Sequence, residues 1–363
     1  MIGWVIEMLG VGRREVVAQP PPPPAKLSAA ADRLQGSILL GAVADAYGYV
    51  VEFRSGDRIA ADIANGFGFD LPDSWSYDGI GHVVSDDTQM TLFTGEACLR
   101  AIQSGDPLVQ SVPGYCREAY LAWYATQTGA IRGGEGLAGS SRLHQRRAPG
   151  ATCLQALARG GRGTPWEPIN DSKGCGGIMR VAPIAFVPGL ELEETWTLGC
   201  ASAAVTHGHV LGWSSAGALA VMLRLVAEGA PLSVAATDTA RFVRHRPGGS
   251  DIGRCIAAAM AFAGRNSVEM DEVESLGGGW IAEECLSIGL AAALMDADVP
   301  ARIAAAAHHS GDSDSTASIC GQLIGAGLGV TALRQDEFLA ERVARLDVFQ
   351  EAGAMLGELS GLI

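Results

Sequence analysis

Along most of the chain, apolar residues recur at three- and four-residue spacing, the period that lines up one face of an α-helix. The pattern predicts helices over Leu34–Gly48, Thr88–Ile102, Tyr115–Thr126, Thr195–Ala204, Trp213–Glu228, Ala282–Leu294, Ala301–His308 and Thr316–Leu333. These segments are rich in Ala, Leu and Met, which have high helix propensity. Runs of alternating Val, Ile and Thr, the mark of a half-buried strand, are almost absent. In the last predicted helix Gly321, Gly325 and Gly329 recur at a helical interval and leave a smooth face for close approach of another helix. The expectation is one all-α domain.

Gly- and Pro-rich stretches at 131–140, 145–150, 159–168, 246–250 and 277–279 read as loops within that domain. The proline run Pro20–Pro24 favours extended polyproline II. It sets residues 1–27 apart as a flexible appendage, with the folded domain at 28–363. Met1–Gly12 is apolar but carries Glu7 and lacks a basic leader and a small-residue cleavage site, so no signal peptide is expected. Two uncharged stretches, Thr195–Leu223 and Ser315–Leu333, have the length of membrane spans. The histidines and serines of the first, and Gln322 and the glycines of the second, point to buried helices instead.

With 363 residues, 48% hydrophobic and 18% charged, the chain can bury a sizeable core. Its 26 Lys+Arg against 40 Asp+Glu give a formal net charge of -14. That balance argues against nucleic acid or an anionic membrane surface as partner and is compatible with divalent cations. The eight cysteines show no C-x-x-C pair, and are expected to be reduced, buried small hydrophobes of a cytoplasmic protein.

Chemistry concentrates in a few polar segments. Ser85-Asp86-Asp87-Thr88 stands immediately before an apolar helix. Ser85 can cap that helix and the acids complement its dipole. The same hard oxygens also suit Mg²⁺, Mn²⁺ or Ca²⁺. Gly311-Asp312-Ser313-Asp314-Ser315-Thr316 repeats the composition ahead of a second helix, and a cap uses one such residue, not four. Together the two segments suggest a shared dinuclear metal site. Glu52, among Tyr49, Val50, Val51 and Phe53, must be exposed, paired or working. The glycine loop Asp171–Arg180 leads toward a predicted helical segment and offers backbone N–H groups to a phosphate, but matches no nucleotide-binding fingerprint. His207 and His209, two apart, would diverge on a helix and suit zinc poorly.

Read in order, these segments resemble the ADP-ribosylglycohydrolase family. The resemblance spans about Leu34 to Gly329 and rests on Gly41–Gly48 with Glu52, Ser85–Thr88, Gly174–Pro183, Thr206-His207, Gly279-Trp280-Ile281-Ala282-Glu283-Glu284 and Gly311–Thr316. It implies a single compact orthogonal helical bundle with two Mg²⁺ (or Mn²⁺) ions in a central cleft. Ser85, Asp86, Asp87, Asp312, Asp314 and Ser315 correspond to the family's metal ligands, and Glu52 to an acid beside the scissile bond. Gly174, Gly176, Gly177, Met179, His207 and Trp280 would line the ADP-ribose cleft, with Gly133, Gly134 and Gly136 as another phosphate-facing loop. Cys175 stands where the family often has Asn, and Tyr47 where Leu is common.

The implied activity is metal-dependent hydrolysis of the glycosidic bond joining ADP-ribose to a protein side chain, by a monomer. The form of the Gly311–Thr316 motif leans toward arginine; O-linked serine, a non-catalytic ADP-ribose-binding module and a phosphohydrolase remain alternatives. Either Asp87 or Glu52 would serve as general base.

Overall fold

A computed structural model describes residues 27–77, 79–130 and 134–363. Among them there are helices and three isolated bridges but no strand. Residues 1–26 of the expected appendage lie outside the described part, whereas Leu27 is half-buried against the core.

The first helix runs Ala29–Tyr49. It starts a turn earlier than its apolar pattern because the Ser28 hydroxyl accepts the Ala31 N–H at 3.0 Å. From Leu34 to Gly48 every residue is buried, as expected of a helix apolar on all sides. Its main partner is the helix Ser313–Leu328, which runs antiparallel along it. Here the small-residue face works as expected. A Cβ placed on Gly36 would lie 2.4 Å from the Gly325 carbonyl oxygen, and one on Gly325 would lie 2.1 Å from the Gly36 carbonyl oxygen. Gly321 meets Leu40 oxygen in the same way, and Gly48 meets Ser313 oxygen at the far end. Gly329 does not continue this face: at φ 78° it ends the helix, and a separate short helix, Val330–Gln335, follows. The continuous helix expected to Leu333 is therefore broken by its own glycine.

The helix Asp86–Ser104 packs on Leu108–Thr128, and Leu192–Ala204 packs on Val210–Ala227 through Gly199 and Gly217. Val210–Ala227 is long and apolar enough to cross a membrane and is largely buried inside the fold. The other long apolar stretches are each divided: Thr195–Leu223 at the turn holding Thr206–His209, Ser315–Leu333 at Gly329. Leu108–Thr128 begins well before the predicted Tyr115, running through Pro113. The glycine loop at 171–180 does not lead into an α-helix; it holds a single 3₁₀ turn at Cys175–Gly177, with another at Ala182–Phe186. Helices absent from the predicted set include Leu232–Val243, Gly249–Met260 and Phe349–Ser360. The last carries Gly353 and Gly357, so its own propensity is poor; it forms because Met355 fills the notch at Gly95 on Asp86–Ser104. All eight cysteines are unpaired thiols, six of them buried.

Gly36→Ala and Gly327→Ala should separate backbone contact from helix propensity. Gly327 lies on the same second helix with nothing near its missing Cβ. Chemical denaturation should show Gly36→Ala losing about 3 kcal/mol or more, and Gly327→Ala gaining up to about 1 kcal/mol.

Candidate active site

The ends of the two central helices meet two further segments around one cavity of about 360 Å³. Five carboxylates line it: Glu52, Asp86, Asp87, Asp312 and Asp314. Each arrives by a simple local device. Ser85 caps the helix Asp86–Ser104, its hydroxyl accepting the Asp87 N–H at 3.1 Å, so Asp86 and Asp87 occupy the first turn. Asp312 occupies the N-cap position of Ser313–Leu328 and Asp314 its first turn. Glu52 sits in the turn that follows Ala29–Tyr49, its N–H donated to Gly48 oxygen at 3.0 Å.

The acidic start of Asp86–Ser104 is tied to the first helix by Asp45. Its carboxylate, fully buried, accepts the N–H groups of Ser85 (3.1 Å) and Thr88 (3.0 Å) and the Thr88 hydroxyl. Asp45 belongs to the motif Gly41–Gly48, but no role had been attached to it. The signal was present: a lone acid in an apolar helical run must be paired, by the argument that singles out Glu52.

Burial and mutual repulsion raise the pKa of every acid here. Asp45 is pushed up to about 7 by burial and then by Asp314. Glu52 is pushed up to about 10 by burial, then by Asp314, Asp312 and Asp86. Asp86, Asp87 and Asp314 are also held well above the usual carboxylate range, with burial first and a neighbouring aspartate second. Such a cluster lacks counter-charge. Oxygens of Glu52, Asp312 and Asp314 approach within 4.8 Å of one another. Glu52 Oε2 and Asp87 Oδ2 are buried with no hydrogen-bond partner among the described residues. Hard, convergent, unpartnered carboxylate oxygens fit divalent cations such as Mg²⁺ or Mn²⁺.

The wall beside the acids is built from loop backbone. His207 lines the cavity from the turn after Leu192–Ala204, not from a helix, and His209 caps the next helix through its Nδ1. Arg180, buried and stacked on Tyr120 at 4.1 Å, donates to the Thr206 hydroxyl at 2.8 Å. That hydroxyl lies 2.8 Å from His207 Nδ1 and 3.5 Å from Ala203 oxygen. The guanidinium only donates, so it fixes the hydroxyl as its acceptor, and the hydroxyl in turn fixes the His207 ring through Nδ1. Burial, then the Arg180 charge, lowers the His207 pKa to about 3, so the ring is neutral. A Cβ on Gly176 would lie 2.9 Å from this ring and 2.8 Å from Cys153 Sγ, so only glycine fits there, whereas one on Gly174 would merely touch the ring at 3.4 Å.

Of the residues expected at the site, Glu52, Asp86, Asp87, Asp312, Asp314, Ser315, Gly174, Gly176, Met179, His207 and Trp280 all line the cavity. Several others do not. Ser85 is buried behind the acids as the cap. Gly177 packs the loop against Ala203 and Gly212. Gly136 faces Glu96 in a separate cavity, and Gly134 packs on Ala138 and Gly139. Gly133 lies outside the described residues. The wall assigned to the 133–136 glycines is supplied instead by Ala148–Cys153, where the Gly150 N–H donates to Asp86 at 3.2 Å. That segment reads only as loop punctuation, since its contribution is mostly backbone. Cys175 replaces the expected Asn with a thiol that donates to Asp312 at 2.8 Å.

Comparison with known proteins agrees with this geometry. No curated protein matches the chain. Among solved structures, an "ADP-ribosylglycohydrolase-related protein complex" superposes with a TM-score of 0.63 at 22% identity, covering 92% of this chain and 98% of that one. At that identity the likeness concerns the fold. The sequence model of the ADP-ribosylglycohydrolases matches residues 26–360. With nearly the whole described chain inside that match, the protein belongs to the ADP-ribosylglycohydrolase family, glycosidases that act on ADP-ribosylated substrates.

Proposed function

We propose that this protein hydrolyses the N-glycosidic bond between ADP-ribose and arginine side chains of proteins, with two Mg²⁺ or Mn²⁺ ions as cofactors. The observation that carries the reading is the convergence of five carboxylates in one cavity with unpartnered oxygens, in a chain of this family. A monomer is proposed as the working unit.

Asp86, Asp87, Asp312, Asp314 and Ser315 are the residues that would hold the cations. Divalent ions there would supply positive charge to fix the ribose hydroxyls and to acidify a water. The four aspartates stand at helix N-termini, where the dipole favours their ionised form and suits them to cation binding. Glu52 is placed differently. It follows the C-terminus of Ala29–Tyr49, whose carbonyl ends make a nearby carboxylate more basic. We therefore assign Glu52, rather than Asp87, as the general base. It takes the proton as water oxygen bonds to the anomeric carbon and the carbon–nitrogen bond breaks. The departing guanidine regains a proton, so charge balances. An oxocarbenium-like transition state is stabilised by the surrounding negative charge, which also favours a cationic aglycone over a neutral one. The N–H groups of Ala151, Thr152 and Cys153, in the first turn of the helix Ala151–Ala158, and the His207 ring are the groups available to the diphosphate.

Release of ADP-ribose from an arginine-modified protein should require Mg²⁺ or Mn²⁺ and stop in EDTA. Release from a serine-modified protein alone would overturn the linkage assigned. Glu52→Gln should lower kcat by about 10²–10⁴-fold while reducing the thermal shift produced by Mg²⁺ far less. Asp314→Asn should abolish that shift.

The acids whose folded pKa is raised bind protons that the unfolded chain has already lost near pH 4. Folding stability from the cluster is therefore retained below that pH and falls as pH rises toward about 7 for Asp45 and about 10 for Glu52. In differential scanning fluorimetry the EDTA-treated protein should lose Tm between pH 5 and pH 8, and the Mg²⁺-induced gain should grow over the same interval. A gain independent of pH would contradict this account.

A further inference from the structure

Two aromatic side chains stand at the mouth of the acidic cavity, and burial explains neither. Phe53 is 70% exposed and Trp280 44% exposed, yet both line the same cavity as the carboxylates. Their rings stack on each other, centroids 5.6 Å apart at 25°. Phe53 adopts φ 64°, a left-handed conformation that a bulky residue takes only when its surroundings impose it. Trp280 is anchored from both sides. Its carbonyl accepts the Cys175 N–H at 3.1 Å, and Gly278 before it accepts the Asp312 N–H at 2.9 Å. Gly279 at φ 78° brings the chain against Asp312 and Thr316 with no room for a Cβ. An exposed, strained and anchored aromatic pair is a surface shaped for something other than the core.

We propose that the Phe53–Trp280 pair is the platform on which the leaving side chain rests, a planar guanidinium stacked against the exposed aromatic surface. This rests on the arginine-directed reading above. Position decides between the two planar groups of the substrate. Phe53 is the residue next to Glu52, and consecutive Cα atoms are only about 3.8 Å apart; Trp280 is linked through Gly278 to Asp312. The platform therefore adjoins the reacting carbon. The aglycone is bonded to that carbon, whereas adenine is separated from it by two riboses and a diphosphate. Charge points the same way: aromatic faces beside carboxylates attract a delocalised cation, and guanidinium stacks on aromatic rings more readily than ammonium does. A serine linkage presents an aliphatic oxygen with nothing to stack. The pair would thus be a specificity determinant for the linkage.

The test compares wild type, Trp280→Ala, Trp280→Phe and Phe53→Gly, the last removing the ring while relieving the left-handed backbone. Turnover is measured on ADP-ribosyl-arginine and on an ADP-ribosyl-serine peptide, and affinity for free ADP-ribose by calorimetry. Trp280→Ala and Phe53→Gly should each raise KM for the arginine compound by ~3–30-fold, with kcat little changed. Trp280→Phe should recover most of the loss, and ADP-ribose affinity should stay within about twofold of wild type. An equal loss of ADP-ribose affinity would mean that the pair holds the nucleotide and would overturn the proposal, as would unchanged KM in both ring deletions. Wild-type turnover of the serine peptide alone would instead remove the arginine reading beneath it, a result visible before any variant is examined.

Discussion

The contact between Ala29–Tyr49 and Ser313–Leu328 is made by backbone, with Gly36, Gly321, Gly325 and Gly48 each facing a carbonyl or main-chain atom of the other helix. Side chains at those positions would hold the axes apart. Their absence lets the two helices lie closely along each other from Gly36 to Gly48, and it fixes where they meet the site. Gly48 seats the C-terminus of the first helix on Ser313, the opening residue of the second. The turn carrying Glu52 and Phe53 is therefore delivered to Asp312 and Asp314 by the same packing that builds the core.

Asp45 extends this arrangement to the third acidic segment. One buried carboxylate, accepting from Ser85 and Thr88, joins the first helix to the start of Asp86–Ser104. Its own charge is costly in that setting, and the cluster it organises is costlier, since each aspartate raises its neighbour's pKa. Such an assembly persists because close-packed helices around it cannot relax to separate the acids. The result is a set of acids that hold protons well above their ordinary range until a cation takes the protons' place, a site suited to divalent ions and, once loaded, to a developing oxocarbenium ion. The uncharged side of the cavity is organised by another buried hydrogen-bonded chain, from Arg180 through Thr206 to His207, which holds the ring in place without a carboxylate.

Local sequence carries much of this. The helical period, the cap at Ser85, the acids of both helix starts and the isolated carboxylate at Glu52 are all legible without coordinates, because each depends on neighbours within a turn or two. Helices such as Phe349–Ser360, poor in propensity and held by Met355 against Gly95, are not. Nor is the substitution of Ala148–Cys153 for the glycines near 134–136 as cavity wall: both segments read as loop punctuation, and only packing tells which of them reaches Asp86.

By itself, then, the sequence determined the all-helical fold class and the residue types of the site, since periodicity, caps and charge in an apolar context are short-range properties. Tertiary structure alone decided that Glu52 and four aspartates from three segments face one cavity, that Ser85 stands behind it, and that Phe53 and Trp280 share its mouth. These are juxtapositions across hundreds of residues. They arise from glycine-mediated contact and from buried hydrogen bonds such as those of Asp45, whose partners no local pattern names.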